Sequence, residues 1–190
     1  CHIYLNSCMI VIMYDNFIEK LIAWADKPRA YAQGTRLFHQ HDPIRSIFII
    51  DEGLVELIRH QQDGTSIVLQ RAGRQSVLAE ASLYSELYHC DAAVKLPTRI
   101  FEFSKATFLA LLQQNEELSI GWAARLAREI QSARSQIDIL SRKTVSERLD
   151  GWFAWKGSKL PSKGLWKNIA VQIGVSPEAL YRELARRRLS

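Results

Sequence analysis

Between Leu118 and Leu149 the chain runs without a proline, and Gly121 is its only glycine. Along this stretch Ala123, Leu126, Ile130, Ala133, Ile137, Leu140 and Thr144 recur at alternating steps of three and four. Such spacing is the a/d seam of a long helix, and it leaves one narrow apolar stripe. Arg125, Arg128, Glu129, Arg134, Asp138 and Arg142 fill the other faces. A charged helix with one thin stripe calls for a partner helix. A second copy of the same helix at a two-fold axis is the simplest supply; the chain's own β domain is the other. Leu126, Ile130, Ala133, Ile137 and Leu140 are therefore expected to form a dimer seam.

Before this helix the period is different. Ile47-Phe48-Ile49-Ile50 is an apolar run ended by Asp51-Glu52-Gly53, and Leu54, Val55, Leu57 and Ile58 form a second run. Gln62-Asp63-Gly64 reads as a hairpin turn, because Asp-Gly accepts the positive φ a tight hairpin needs. Ile67 to Leu69 follow, closed by Gly73; Ala92 to Val94 and Ile100 to Phe103 make two more strands around Pro97. Short strands punctuated by glycine predict a β sandwich or barrel. Ser104 caps a short helix bearing Phe108, Leu109, Leu111 and Leu112, and Asn115 breaks or re-caps the chain.

Charge divides the chain more sharply than composition does. Residues 1–120 hold 11 Lys and Arg against 14 Asp and Glu, a net −3, whereas residues 121–190 hold 14 against 6, a net +8. All the positive excess lies in the second part, which points to a polyanion as its partner. A solvated basic helix surface is the plainer alternative. Within this part Gly157 to Gly164 is a polar link bearing Pro161, and the boundary of a C-terminal module falls near Thr144.

The segment Trp166 to Arg186 fits a helix-turn-helix. Ala170 is small enough for a second helix to cross the first closely, and Gly174 can take the positive φ of the tight turn. Ile169, Ile173, Val175, Leu180 and Leu184 supply an apolar wedge. Ser176 is a good N-cap, and Pro177 suits a first helical turn. The second helix then offers Glu178, Tyr181 and Arg182 near its N-terminal end, the part of this motif that faces base edges in the major groove. Arginine can bond guanine in a bidentate manner and glutamate can accept from cytosine. Lys163, Lys167, Arg186, Arg187 and Arg188 suit phosphates, which give affinity without sequence reading. The expected DNA-contacting set is Lys167, Ser176, Pro177, Glu178, Tyr181, Arg182 and Arg186. An ordinary helical hairpin with a basic outer side is the competing reading.

Other classes find little support. With 47% hydrophobic and 24% charged residues the 190-residue chain has an ordinary globular composition, and it holds no apolar run long enough for a membrane span. Cys1 to Met13 lacks a basic region and a cleavage site, so no secretory signal is expected, and Met9 or Met13 could be the true start. Cys1, Cys8 and Cys90 form no C-x-x-C pair, which argues against a disulfide framework or a zinc finger and leaves a reducing cytoplasm as the expected compartment. No G-x-S-x-G, Walker A or H-E-x-x-H motif occurs, so no enzyme is expected.

Taken in order, these residues resemble the Crp/Fnr family of bacterial transcription regulators. Gly34-Thr-Arg-Leu-Phe38, Ile49-Ile-Asp-Glu-Gly53-Leu-Val-Glu-Leu57, Asp63-Gly64, Gly73 and Ala79-Glu-Ala-Ser-Leu-Tyr84 resemble its β-roll signatures; Ser176-Pro-Glu-Ala-Leu-Tyr-Arg182 resembles its reading helix. The resemblance implies an α+β protein: an antiparallel β-roll (double-stranded β-helix) sensor over 1–115, a dimerisation helix over 116–143, and a helix-turn-helix domain over 144–190. It also implies a cytoplasmic homodimer on a palindromic operator in double-stranded DNA, with RNA polymerase as a further partner. The half-site-reading glutamate and arginine fall on Glu178 and Arg182. A further arginine of cyclic-AMP-responsive members falls on Pro177, so base preference is expected to differ there.

The effector pocket is expected at Glu80, Ser82, His89 and Cys90. Cyclic-nucleotide binders of the family hold the phosphate with a Gly-Glu turn and an Arg-Ser pair. Here Ala79-Glu80 and Cys90-Asp91 stand in those places, and the helix residue that meets the base falls on Ala133. Loss of the arginine removes a charge-assisted contact, and Asp91 is expected to add repulsion, so the effector, a small molecule of unknown identity, is not expected to be cyclic AMP. Haem or a metal at His89 and Cys90 is the lesser alternative, since adjacent residues on a strand or turn point apart; a structural cysteine is the preferred reading, and no cofactor is expected. Cys1 and Cys8 do not match the cluster spacing of oxygen-sensing members. After Arg182 the resemblance implies a two-stranded wing for which Arg186-Arg187-Arg188-Leu189-Ser190 leaves no room, so either the wing is expected to be absent or the chain is incomplete. The competing function is thus an effector-binding or protein-interaction module that has lost tight DNA binding.

Overall fold

The computed structural model describes residues 17–61, 63–157 and 159–188. Cys1, Cys8, Met9 and Met13, with the expectations placed on them, lie outside these residues, as do Leu189 and Ser190. The chain divides into two compact units, Cys1–Ala123 and Ala124–Ser190.

In the first unit an antiparallel six-stranded sheet is built around two long strands, β3 (Ser46–His60) and β6 (Asp91–Ser104). β1 (Arg29–Tyr31) and β2 (Arg36–Phe38) pair with β6, while β4 (Ser66–Ala72) and β5 (Val77–Leu78) pair with β3. Each long strand was expected as two. Asp51-Glu52-Gly53 does not end β3: the ladder with β6 shifts register on both sides of Glu52 and again before Val55, so the strand bends and continues. Gly53 makes this possible. Its φ is 103°, and a Cβ there would lie 2.6 Å from the Pro97 carbonyl oxygen. Pro97 in turn sits opposite the bulge between Leu96 and Arg99, where the ladder does not ask it for an N–H. The Asp63-Gly64 hairpin joins β3 to β4, with the Asp63 carboxylate accepting from the Thr65 N–H at 2.9 Å.

Ile47, Ile49, Ile50, Leu78, Leu83, Ile100 and Phe108 are fully buried. β3 buries consecutive residues instead of alternating, because the roll covers both of its faces. A short helix that the sequence reading did not foresee, α1 (Phe17–Ile22), closes this core. Its Phe17 lies over Gly121, where a Cβ would come 2.6 Å from the ring, and beside Trp122 at 6.2 Å between ring centroids.

α2 (Lys105–Gln114) is capped by Ser104, whose hydroxyl accepts the Thr107 N–H at 3.0 Å. Asn115 ends it and caps α3 (Glu116–Ser141) through the Leu118 N–H at 3.0 Å. The proline-free run to Leu149 is not one helix. It breaks after Ser141, and α4 (Val145–Lys156) begins behind a capping box in which Thr144 and Glu147 bond each other's backbone N–H at 3.1 and 2.9 Å. Thr144, expected as the last seam position, is therefore a cap.

The second unit packs α4, α5 (Trp166–Gln172) and α6 (Pro177–Arg188) with the end of α3. Its core is Ile139, Leu149, Trp152, Trp166, Ile169, Ala170, Ile173, Leu180 and Leu184. Ile139, off the seam, is the buried α3 residue of this unit. On the seam Ile130, Ile137 and Leu140 are 53%, 65% and 42% exposed, Ala133 is exposed, and Leu126 is half-buried. Among the described residues no helix is long and apolar enough to cross a membrane.

Candidate nucleic-acid interface and effector cavity

α5 ends in a turn whose backbone follows from Gly174. Its φ of 63° lets the Val175 N–H fold back to the Ala170 carbonyl at 2.9 Å. The Ser176 hydroxyl then accepts the Ala179 N–H at 3.2 Å, and Pro177 starts α6 where no intrahelical N–H is needed. Ala170, Ile173 and Leu180 are fully buried, which fixes α6 across α5.

With Leu180, Glu183 and Leu184 turned inward, α6 presents Glu178, Tyr181, Arg182 and Ala185 to solvent. Their spacing of three, four and seven puts them on one helix face. Tyr181 rests its ring on Trp166, 5.5 Å between centroids, and stays 39% exposed. The Glu178 carboxyl is held below the usual carboxylate range by its own backbone N–H and the Ser176 hydroxyl, helped by the charges of Lys167 and Arg182. Lys163 and Lys167 are exposed on the elements leading into the turn.

Arg186, expected among the DNA contacts, is exposed and ion-paired on its own helix. Its guanidinium bonds both oxygens of Glu183 at 2.9 and 3.0 Å. Arg187 likewise reaches Glu183 at 2.6 Å, Asp150 at 2.7 Å and the Ser146 carbonyl at 3.0 Å. These bonds fasten the end of α6 to the start of α4, and they hold the Glu183 carboxyl at about 2, with Arg186 the largest cause. The spacing of Glu183 to Arg186 and Arg187 was visible in the sequence as possible helix pairs; the roles of Ser146 and Asp150 were not. The turn also takes bonds from Gln136 and Arg148, neither of which the sequence reading had singled out.

In the first unit Glu80, Ser82, His89 and Cys90 line one cavity of about 110 Å³, with Phe38 and Leu57 in its apolar wall. Ala79, in the place of a glycine, adopts a left-handed φ of 70° ahead of the short turn Glu80–Ser82. Buried Ser82 meets His89 Nδ1 at 2.6 Å. His89 and Cys90 were expected to point apart. Both nevertheless line the cavity, from the bend just before β6, which begins at Asp91.

Burial and the Arg59 charge push His89 below the usual histidine range. Burial pushes the Cys90 thiol up to about 11. Among the described residues no cluster of three or more His, Cys, Asp or Glu could hold a metal ion. Asp91 is not in the cavity wall, contrary to the repulsion expected of it. Its carboxylate accepts from Arg36 and the Gln40 N–H at 2.8 Å each and meets His60 at 3.2 Å. Burial raises this group, but those partners together hold it below the carboxylate range.

Residues 28–115 match the model of the cyclic nucleotide-binding domain. The chain is 27% identical over 164 residues to the cyclic AMP receptor protein of Thermus thermophilus, covering 82% of this chain and 74% of that one. It is 26% identical over 121 residues to the cAMP-activated global transcriptional regulator CRP of Pasteurella multocida, covering 63% of this chain and 58% of the relative. Among solved structures, the c-di-GMP responsive global regulator CLP of Xanthomonas campestris matches with a TM-score of 0.63 at 19% identity, over 92% of each chain. FixK2 of Bradyrhizobium japonicum matches with a TM-score of 0.62 at 16% identity, over 85% of this chain and 84% of that one. At these identities the structural likeness speaks for the fold.

Proposed function

We propose that this chain, which belongs to the Crp/Fnr family of transcription regulators, binds duplex DNA in a sequence-specific way as a homodimer. The observation that carries the reading is the outer face of α6. Glu178, Tyr181 and Arg182 stand exposed together behind a turn and cap that fix their direction. Arg182 and Glu178 are the two hydrogen-bonding readers, one donating to guanine and one accepting from cytosine. Tyr181 stiffens the face through its contact with Trp166. Lys163 and Lys167 supply phosphate contacts in a part of the chain with net charge +8. Arg186 is left to hold the domain together.

Pairing along α3 is supported by Ile130 and Ile137, which are 53% and 65% exposed. A two-fold pair places two α6 faces against two half-sites about one helical turn apart. Selection of binding sequences from random duplexes tests this directly. A two-fold motif is expected, and enrichment of no such motif refutes the reading.

The β-roll is proposed to sense something other than cyclic AMP. Where a phosphate-binding guanidinium is needed, Cys90 offers a protonated thiol. Calorimetric titration with cyclic AMP is expected to show no binding, and saturable heat would refute this part.

A further inference from the structure

The turn before α6 is held from outside. Three successive carbonyls, those of Gln172, Ile173 and Gly174, accept hydrogen bonds from side chains of the preceding helices. Gln136, on α3, donates its amide to the Gln172 carbonyl. Arg148, in the first turn of α4, donates Nη1 to the carbonyls of Ile173 at 3.2 Å and Gly174 at 2.9 Å. The same guanidinium donates Nε to the Arg142 carbonyl at 2.9 Å, inside the bend between α3 and α4. Trp152 donates its indole N–H to Oε1 of Gln172 at 2.7 Å. Leu140 packs over Gly174, where a Cβ would come 2.7 Å from its Cδ2. The carbonyls at the end of a helix have no intrahelical donors, and a cation there meets the negative end of the helix. Arg148 supplies both needs while gripping the bend.

We infer that Arg148 is a positioning residue that fixes the direction of α6 against the end of α3, and thereby the half-site spacing the protein accepts. This consequence rests on the DNA-binding reading above. In a pair joined along α3, the separation of the two α6 faces follows from the angle each makes with α3. The base-reading groups lie on α6 itself, so loosening that angle alters spacing and leaves base choice within a half-site alone. Lysine cannot stand in fully, because its ammonium lacks the planar fork that spans two sets of carbonyls.

The test uses duplexes carrying two copies of the selected half-site, their separation varied one base pair at a time. Arg148→Ala is expected to lose about tenfold of the discrimination between the best spacing and its neighbours, the factor one charge-assisted hydrogen bond carries. Arg148→Lys should fall between it and the wild type. A uniform loss of affinity at every spacing, or an unchanged profile, overturns the inference, since a merely structural role would give one of these. A second readout needs no DNA. Spin labels at Gln131→Cys and Ala185→Cys, with Cys1 and Cys8 replaced by serine, report the distance from α3 to α6. The distribution should broaden in Arg148→Ala; equal width overturns the inference. If the wild type selects no half-site, the DNA reading fails, and the label distances alone decide the role of Arg148.

Discussion

Replacing Gly174 with alanine places two separate costs on one atom. The φ of 63° is left-handed, and a residue with a Cβ loses about 1–2 kcal/mol there. The new Cβ would also lie 2.7 Å from Leu140 Cδ2 and 3.3 Å from Arg148 Nη1. Leu140 is partly exposed and can turn away, at the roughly 0.5–1.5 kcal/mol of an off-rotamer side chain. The total is about 1.5–3.5 kcal/mol. The two costs separate in a double-mutant cycle. In a Leu140→Ala background the closer contact is gone, and the backbone cost of about 1–2 kcal/mol remains beside the looser contact with Arg148. Urea unfolding of the full chain, followed at 222 nm where the helices of the second unit dominate, measures both. A cost below about 0.5 kcal/mol for Gly174→Ala, within the range of a neutral surface change, would refute the backbone argument. An equal cost in both backgrounds would refute the packing argument.

Three further outcomes are expected. Arg182→Ala should cost about 1–3 kcal/mol on the preferred site and relax base choice there, while Lys167→Ala should weaken all duplexes alike and flatten the salt dependence; a binding series against mismatched duplexes separates the two. The Glu183 carboxyl titrates near 2 in the folded chain against an ordinary 4.5, so its pairs contribute in full above about pH 4.5. As pH falls below that value the unfolded chain takes up the proton first and stability is lost; Glu183→Gln should flatten this acid limb, and an unchanged limb would show that the pairs do not stabilise the unit. Cys90, buried with its thiol pushed up to about 11, should resist a thiol reagent at pH 8 until urea is added; rapid labelling of the native chain at this position would contradict its burial.

Where local rules decide, the sequence was a sufficient guide. The wedge residues, the positive φ at Gly174, the Ser176 cap and Pro177 were all readable because each depends on neighbours within about one helical turn. The Asp63-Gly64 turn was readable for the same reason. The break after Ser141 belongs here too: Thr144-Val-Ser-Glu147 is a capping-box pattern, at the residue near which the boundary of the C-terminal module is expected.

Other features depended on chain segments far apart. Gly53 looked like a strand end because glycine usually punctuates; only the approach of Pro97 and Thr98 turns it into a bulge inside one long strand. Asp91 looked like a phosphate repeller until Arg36, Gln40 and His60 arrived to hold its carboxylate. The bonds of Arg186 to Glu183 and Ser146 likewise show only in the fold. Arg148 carried no local signature at all. What the sequence determined by itself is therefore the turns, the helix caps and the face of α6 that meets solvent, since periodicity and capping act over a few residues. Which charges are free to meet a ligand was decided only by the tertiary structure, because a charge is satisfied by whatever partner the fold brings within hydrogen-bonding distance, however far away it lies in the chain.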